Sequence, residues 1–365
     1  MSSILFPHIS SELFYTYQWP ILYYKDFIDI VVPEQEVDRP FFKKLTEIGI
    51  ELYTYHLNND NYSKTIKNLI NNNQYKVIVP THNDIYQNLF GFGSFSKPEI
   101  YKLLLYVGLK TPILYNSSIK FPVIAKPKIG SGSNGVRRFD NYEALQTFLT
   151  EKPYDYNDFG DEYQIEEYIE GPTVNITLYN LNGTVRLLST YDTETDHSFS
   201  YITTQRLYPS KHQDIINSAL PKLLDFVSKY TNKNGIVTLD GKIKDGELYI
   251  IDVGNRLPSS ELSKHLYSRF ALEYVSIMMG NNIEISTLNN STILHKYFPY
   301  HPGGPYTGPI PLDNSIKEFK RPTGFGINAW NASILEKRGY IIIESDNPID
   351  KYNEILKFMS NNPRK

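Results

Sequence analysis

The chain has 365 residues, no cysteine and a formal net charge of −3 from 37 basic and 40 acidic side chains. That length suits two or three lobes. The missing cysteines exclude disulfides, zinc–thiolate sites and thiol nucleophiles, and the near-neutral balance argues against a broad nucleic-acid or membrane surface. The opening Met1-Ser-Ser-Ile-Leu-Phe-Pro-His8 lacks the basic and long apolar parts of a signal peptide. No apolar run approaches the roughly 20 residues of a membrane helix. The expectation is a soluble, cytoplasmic protein.

Up to about residue 94 the chain alternates strand and helix patterns. Residues 27–32 form a short apolar run, and 41–48 have helical spacing that stops at Gly49. Residues 50–55 read as a strand, 62–70 as a helix, and 75–79 as a third strand ending at Pro80-Thr81-His82-Asn83-Asp84. Such alternation predicts a parallel sheet. Ligands sit beyond the carboxyl ends of its strands, so Thr81, His82 and Asp84 are either substrate contacts or a polar loop capping a helix. Residues 95–112 predict a helix with Ser96 as N-cap, Pro98 in the first turn and Gly108 as the stop. Lys97 at its head opposes the helix dipole. It is either solvated or placed beside an anion.

Phe121-Pro-Val-Ile-Ala-Lys126-Pro delivers a lysine into the Gly/Ser loop Gly130-Ser-Gly-Ser-Asn-Gly135. Glycines let backbone N–H groups turn toward a phosphate, and serines add donors. The loop is not a P-loop, and a plain hairpin connection is the alternative. Residues 162–169 read as a strand carrying Glu166 and Glu167 into the break Gly171-Pro172. Residues 174–179 and 185–191 form a hairpin turned by Asn182-Gly183. Residues 193–200 read as a polar loop, 201–207 as a strand and 209–230 as a helix.

Residues 236–243 and 248–253, turned by Asp245-Gly246, form a second hairpin. It brings Asp240 and Asp252 together, with Arg256 just beyond. Two carboxylates offer hard oxygens to Mg²⁺, and an arginine offers a fork to an anionic oxygen. A helix follows over 259–279, then mixed short β runs over 291–345, a last strand at 340–344 and a last helix near 348–360.

Taken in this order, the chain resembles the ATP-grasp superfamily. The residues that carry the resemblance are Ser96-Lys97, Pro122-Val-Ile-Ala-Lys126-Pro with the 130–135 loop, Glu166-Glu-Tyr-Ile-Glu-Gly171-Pro, and Asp240 with Asp252-Val-Gly-Asn-Arg256. It spans about 20–285. It implies α/β and α+β architecture in three parts: an N-terminal Rossmann-like domain over 1–110, a small lid subdomain over 111–169 and a C-terminal α+β subdomain over 170–365. It also implies roles. Lys97 and Lys126 would contact ATP phosphates, and Ser131, Gly132, Ser133 and Gly135 would belong to a lid closing over them. Glu166 would take the adenine amino group, and the Glu167, Tyr168 and Ile169 backbone would read the ring edge. Asp240 and Asp252, with Asn255 as a displaced third ligand, would hold Mg²⁺, or Mn²⁺ in its place. Arg256 would stabilise an acyl-phosphate.

The chain departs from the family pattern where Asp replaces the usual metal-binding Glu at both positions, where Gly254 precedes Asn255, and where Thr173 takes the place of an acidic ribose contact. The implied activity is ATP-dependent joining of a carboxylate, an amino acid or peptide, to an amine through an acyl-phosphate, with release of ADP and phosphate. The implied partners are those small molecules and a second copy of the chain in a homodimer, with neither nucleic acid nor membrane. A carboxylase or carbamoyl-transfer enzyme and a non-catalytic nucleotide-binding regulator are the alternatives.

Overall fold

A computed structural model describes residues 3–56, 59–79, 81, 97–115, 120–127, 135–151, 163–196, 202–231, 234–288, 291–298, 313–320 and 339–361. Strands β1 (Ile4–Phe6), β2 (Ile28–Pro33), β3 (Glu51–Tyr55) and β4 (Val77–Ile78) form a parallel sheet in the order β3-β2-β1-β4. Helices α1 (Ser11–Tyr23), α2 (Pro40–Glu47) and α3 (Asn59–Asn72) connect them. Sequence pattern alone does not reveal β1 and α1. β1 has three residues, and α1 is apolar nearly all round. It buries Leu13, Phe14, Tyr17 and Ile21 but exposes Tyr15, Trp19, Leu22 and Tyr23, which blurs the 3.6-residue period.

Helix α4 (Lys97–Tyr106) is shorter than the expected 95–112. Gly108 at φ +78° and the bond from Leu109 N–H to Leu104 O close it. The segment that follows then accepts the Ile250 N–H at Lys110 O at 2.8 Å. A small antiparallel sheet follows in the order β6-β5-β7, from β5 (Val123–Pro127), β6 (Arg137–Phe139) and β7 (Tyr163–Glu167). Helix α5 (Tyr142–Glu151) covers it, and Val123, Ala125, Phe139, Leu145 and Phe148 make its core.

The third sheet has eight strands in the order β12-β11-β8-β9-β10-β13-β15-β14. They are β8 (Thr173–Leu181), β9 (Thr184–Asp196), β10 (Ile202–Tyr208), β11 (Asn234–Lys244), β12 (Glu247–Gly254), β13 (Ile293–Tyr297), β14 (Ile316–Lys320) and β15 (Tyr340–Glu344). Both expected hairpin turns have two successive residues at positive φ: Asn182 and Gly183, then Asp245 and Gly246. These angles suit the right-handed twist of the flanking strands.

Two boundaries differ from expectation. Residues 193–196 are strand rather than loop, because Thr193 pairs with both Thr173 and Arg206. Two ladders at Thr193, and the β10 ladder over Glu194, Thr195 and Asp196, outweigh the polar composition that suggests a loop. The helix expected from 209 is α6 (Gln213–Tyr230). Ser210 Oγ and the Lys211 N–H both donate to the Asp192 carboxylate, which holds 210–211 outside the helix.

Helix α6 packs on one face of this sheet through Ile216, Leu223, Phe226 and Val227, against Val174, Ile176, Leu178 and Leu239. Helix α7 (Glu261–Met278) lies on the other face, with Ser260 Oγ capping its first turn. Its Leu266, Tyr267, Phe270 and Tyr274 share one core with Phe6, Tyr17 and Ile21 of the N-terminal unit. Each such buried side chain contributes about 1.5–3 kcal/mol. Helix α8 (Pro348–Asn361) covers β13 and β15. No described helix is long and apolar enough to cross a membrane.

Candidate nucleotide and metal site

Four elements meet at Lys126. Its strand β5 pairs with β7 so that Ile124 faces Glu166 and Lys126 faces Gln164. The Lys126 ammonium is 2.6 Å from Glu166 Oε1 and donates to Tyr101 Oη at 2.8 Å and to the Ile251 carbonyl at 2.7 Å. Tyr101, on α4, lies 3.0 Å from Glu166 Oε2 and 2.9 Å from that carbonyl, so its single proton serves one of them. Gln164 Nε2 donates to Glu166 Oε2 at 2.6 Å. Lys126 is 6% exposed and Glu166 3%. A charge pair this deep persists only when its remaining donors and acceptors are met, and here they are. Burial, then the negative charges of Glu166 and Asp252, push the Tyr101 hydroxyl well above its ordinary range. The cluster pins the small sheet and α4 to β12 of the large one.

Asp240 and Asp252 are directly opposed across β11 and β12, beside a bulge between Asp240 and Gly241. Such a bulge re-aims side chains at a sheet edge. Asn175, the cross-strand neighbour on β8, donates Nδ2 to Asp240 Oδ1 at 2.8 Å. Lys97 at the head of α4 is 3.1 Å from Asp252 Oδ1. That carboxylate is the anion facing the lysine at the helix head. Burial and then repulsion from Asp252 raise the Asp240 carboxyl above the usual range, while Asn175, Arg206 and Arg256 pull it down. Arg256 donates Nη1 to Leu257 O at 3.0 Å, and its own carbonyl accepts from Thr238 Oγ1 at 2.7 Å. Asn255 beside it is 8% exposed.

Among the described residues no group of three or more His, Cys, Asp or Glu side chains gathers as a metal cage. Two directly opposed aspartates, with Asp252 raising the cost of ionising Asp240, nonetheless fit Mg²⁺. This ion is commonly held by one or two carboxylates, with substrate phosphates and water completing the shell.

The edge between the sheets carries the other candidates. Glu167 N–H donates to Ile113 O at 2.8 Å, and the Glu167 carboxylate pairs with Lys244 at 3.0 Å. Tyr168 N–H donates to Pro122 O at 3.3 Å, and the Arg138 guanidinium lies 4.5 Å from the Tyr168 ring centre. Ile169 is buried. Thr173 opens β8 opposite Lys242, and Gly135 has φ +76°. Thr81 is buried in the N-terminal unit. Its hydroxyl accepts from the His8 N–H at 3.0 Å, and His8 Nδ1 is 2.8 Å from the Tyr55 hydroxyl. Ser131, Gly132, Ser133, His82 and Asp84 lie outside the described residues. Sequence reasoning missed Tyr101, Gln164, Asn175 and Arg206. Two carried a signal: Tyr101 is one helical turn from Lys97, and Asn175 interrupts the apolar β8.

This arrangement of a small antiparallel sheet clasped against a large one defines an ATP-grasp domain. The sequence profile of an ATP-grasp domain matches residues 95–260, and the chain carries that domain over this span. An ATP-grasp enzyme of Aspergillus fumigatus, fsqD, is 23% identical over 145 residues, which cover 36% of this chain and 24% of that protein's length. Among solved structures, an L-amino acid ligase from Bacillus licheniformis superposes with a TM-score of 0.69 at 14% identity, covering 99% of this chain and 97% of its own. Phosphoribosylglycinamide synthetase from Anaerococcus prevotii gives 0.65 at 16% identity, covering 100% and 98%. The biotin carboxylase domain of Hydrogenobacter thermophilus 2-oxoglutarate carboxylase, a dimer in complex with MgADP, ADP and bicarbonate, gives 0.68 at 16% identity, covering 97% and 89%.

Proposed function

We propose that the protein is an ATP-dependent carboxylate–amine ligase. The observation that carries this reading is the convergence of Lys97, Asp252 and Asp240, with Arg256 held just beyond by its own backbone. Likeness to an amino acid ligase over nearly the whole chain supports it at the level of fold. We divide the chain into an N-terminal domain over 1–110, a lid subdomain over 111–169 and a C-terminal subdomain over 170–365.

In this reading Lys97 and Lys126 serve the nucleotide phosphates. Glu166, Tyr101 and the Ile251 carbonyl take the three N–H groups of Lys126, with Gln164 bracing Glu166, and a phosphate oxygen displaces one of these partners. Lys97 exchanges Asp252 for a phosphate oxygen. Asp240 and Asp252 would hold Mg²⁺, which supplies neutralisation of the phosphate charge. Arg256 stabilises negative charge where the transferred phosphoryl group meets the substrate carboxylate. A carboxylate oxygen attacks the γ-phosphorus of ATP, and ADP leaves. The amine nitrogen then attacks the acyl carbon, orthophosphate leaves with the bonding pair, and the nitrogen loses a proton.

The test is chromatography of the nucleotide after turnover, with hydroxylamine in place of the amine and single amino acids as donors. ADP, orthophosphate and a hydroxamate in equal amounts are expected. AMP as the stoichiometric product, or no hydroxamate with any donor, overturns the reading.

A further inference from the structure

Cross-strand partners in a sheet share a face. From β12 toward β13, one face of the large sheet presents Asp252, Asp240, Asn175 and Tyr191, then Thr193, Arg206 and His295. Arg206 is therefore on the face that carries the two aspartates. Its strand β10 is three strand spacings from β11, about 14 Å at roughly 4.8 Å each. The long arginine side chain narrows that gap. Both Arg206 and Arg256 act on the charge of Asp240, and both act on the Tyr191 hydroxyl between them.

Arg206 is held in a built pocket. Its Nη1 donates to His295 Nδ1 at 3.3 Å. His295 is fully buried, and burial, then the Arg206 charge, drive its pKa far down, so it stays a neutral acceptor. Glu261, in the first turn of α7, accepts from the Tyr297 hydroxyl at 2.9 Å and keeps a side chain 31% exposed. Arg206 also remains partly open to solvent. A structural arginine at this depth would be expected to close its fork on a carboxylate. Here, among the described residues, its hydrogen bonds go to two neutral groups, the His295 ring and the Tyr297 hydroxyl that itself donates to Glu261.

Building on the ligase reading, we infer that Arg206 recognises a free carboxylate on the amine substrate, so that the acceptor is an amino acid. The donor's own carboxyl must be at the aspartates and Arg256, where phosphoryl transfer occurs. A second cationic fork, displaced along the same face, addresses a second anion. An acceptor whose nitrogen reaches the acyl carbon places a carboxylate a few bonds further along that face, toward β10. Arg206 is a specificity residue in this scheme. Glu261 and His295 position it.

The test compares free-acid and amide acceptors: L-alanine against L-alaninamide, and L-phenylalanine against its amide, with a donor identified by hydroxamate formation. The wild type should prefer the acids through KM. Arg206→Gln should raise KM for the acids roughly 10- to 100-fold, as expected for losing a hydrogen bond to a charged group, and erase the preference. Each ratio is internal to one variant, so a general loss of activity cancels. Arg206→Lys, which keeps the charge but not the fork, should fall between, and stands in if Arg206→Gln does not fold. Failure to form any hydroxamate would sink the ligase reading itself. Hydroxamate formation with no acid preference in the wild type, with no use of these acids, or with a preference that survives both variants, overturns the role of Arg206 alone.

Discussion

The Lys97 ammonium lies 3.1 Å from Asp252 Oδ1 and ties the first turn of α4 to the end of β12. A cation at a helix N-terminus is electrostatically out of place unless an anion faces it. Asp252 is that anion, and it also opposes Asp240 across the hairpin. One carboxylate thus faces both a lysine and a second aspartate. In the proposed site, such a point would exchange partners when phosphate and a divalent cation arrive.

Asp252→Asn should therefore lower Mg²⁺-dependent phosphate release by at least about a hundredfold. It should leave the melting temperature nearly unchanged, because Asp252 is 41% exposed and its loss relieves repulsion on Asp240. Steady-state phosphate assays across a Mg²⁺ titration, beside thermal melts, check this. Near wild-type rates at low Mg²⁺ would make the hairpin merely structural.

Lys126→Met should destabilise the fold by about 3–5 kcal/mol, because it strands the buried Glu166 carboxylate without its cation. Adding Glu166→Leu should recover part of that loss, since the uncompensated charge goes too. Urea denaturation of the three proteins reads the coupling. A single-variant cost below about 1 kcal/mol would show that the pair does not hold the small sheet to the large one.

Stability should fall as the pH drops below the unfolded histidine value of about 6.5, and His295 should account for part of the fall. Burial first, then Arg206, depress the folded pKa of His295. The unfolded chain therefore binds a proton that the folded chain refuses. This contribution is fully present above about pH 6.5 and is lost below it, at no more than about 1.4 kcal/mol per pH unit. Denaturation midpoints at pH 7.5, 6.0 and 5.0 should converge toward each other in His295→Gln. An unaltered slope would rule out His295 as a source.

Gly171→Ala should cost about 3 kcal/mol or more. Gly171 has φ +134°, and a Cβ there would come 2.0 Å from the Ile243 carbonyl oxygen, a backbone atom that cannot step aside. The turn also accepts the Ile243 N–H at Pro172 O and Lys242 Nζ at Gly171 O. A variant that melts like the wild type would mean that the β7–β8 junction has more room than its backbone allows.

The sequence alone determined whatever depends on neighbours along the chain. Turn chemistry at Asn182-Gly183 and Asp245-Gly246 placed both hairpins, since φ > 0 at two successive residues favours Asn or Asp followed by Gly, which has no Cβ to clash. The second hairpin made the approach of Asp240 to Asp252 legible, but the turn's register alone would set Asp240 opposite Ile251, and it is the bulge between Asp240 and Gly241 that sets it opposite Asp252. Gly49 and Gly108 marked helix ends for the same local reason. Tertiary structure decided what depends on partners distant in sequence. Residues 193–196 became strand only because β10 pairs with all four and β8 reaches Thr193. Helix α1, apolar on every side, acquired an inner face only where α7 packs on it. Lys126 carried no sign of its partners, since Tyr101, Glu166 and Ile251 come from three other elements and only their packing excludes water. Arg206 likewise reads as an ordinary strand residue until strand order sets it on the face of Asp240, because a face of a sheet is a property of neighbouring strands and no single strand specifies it.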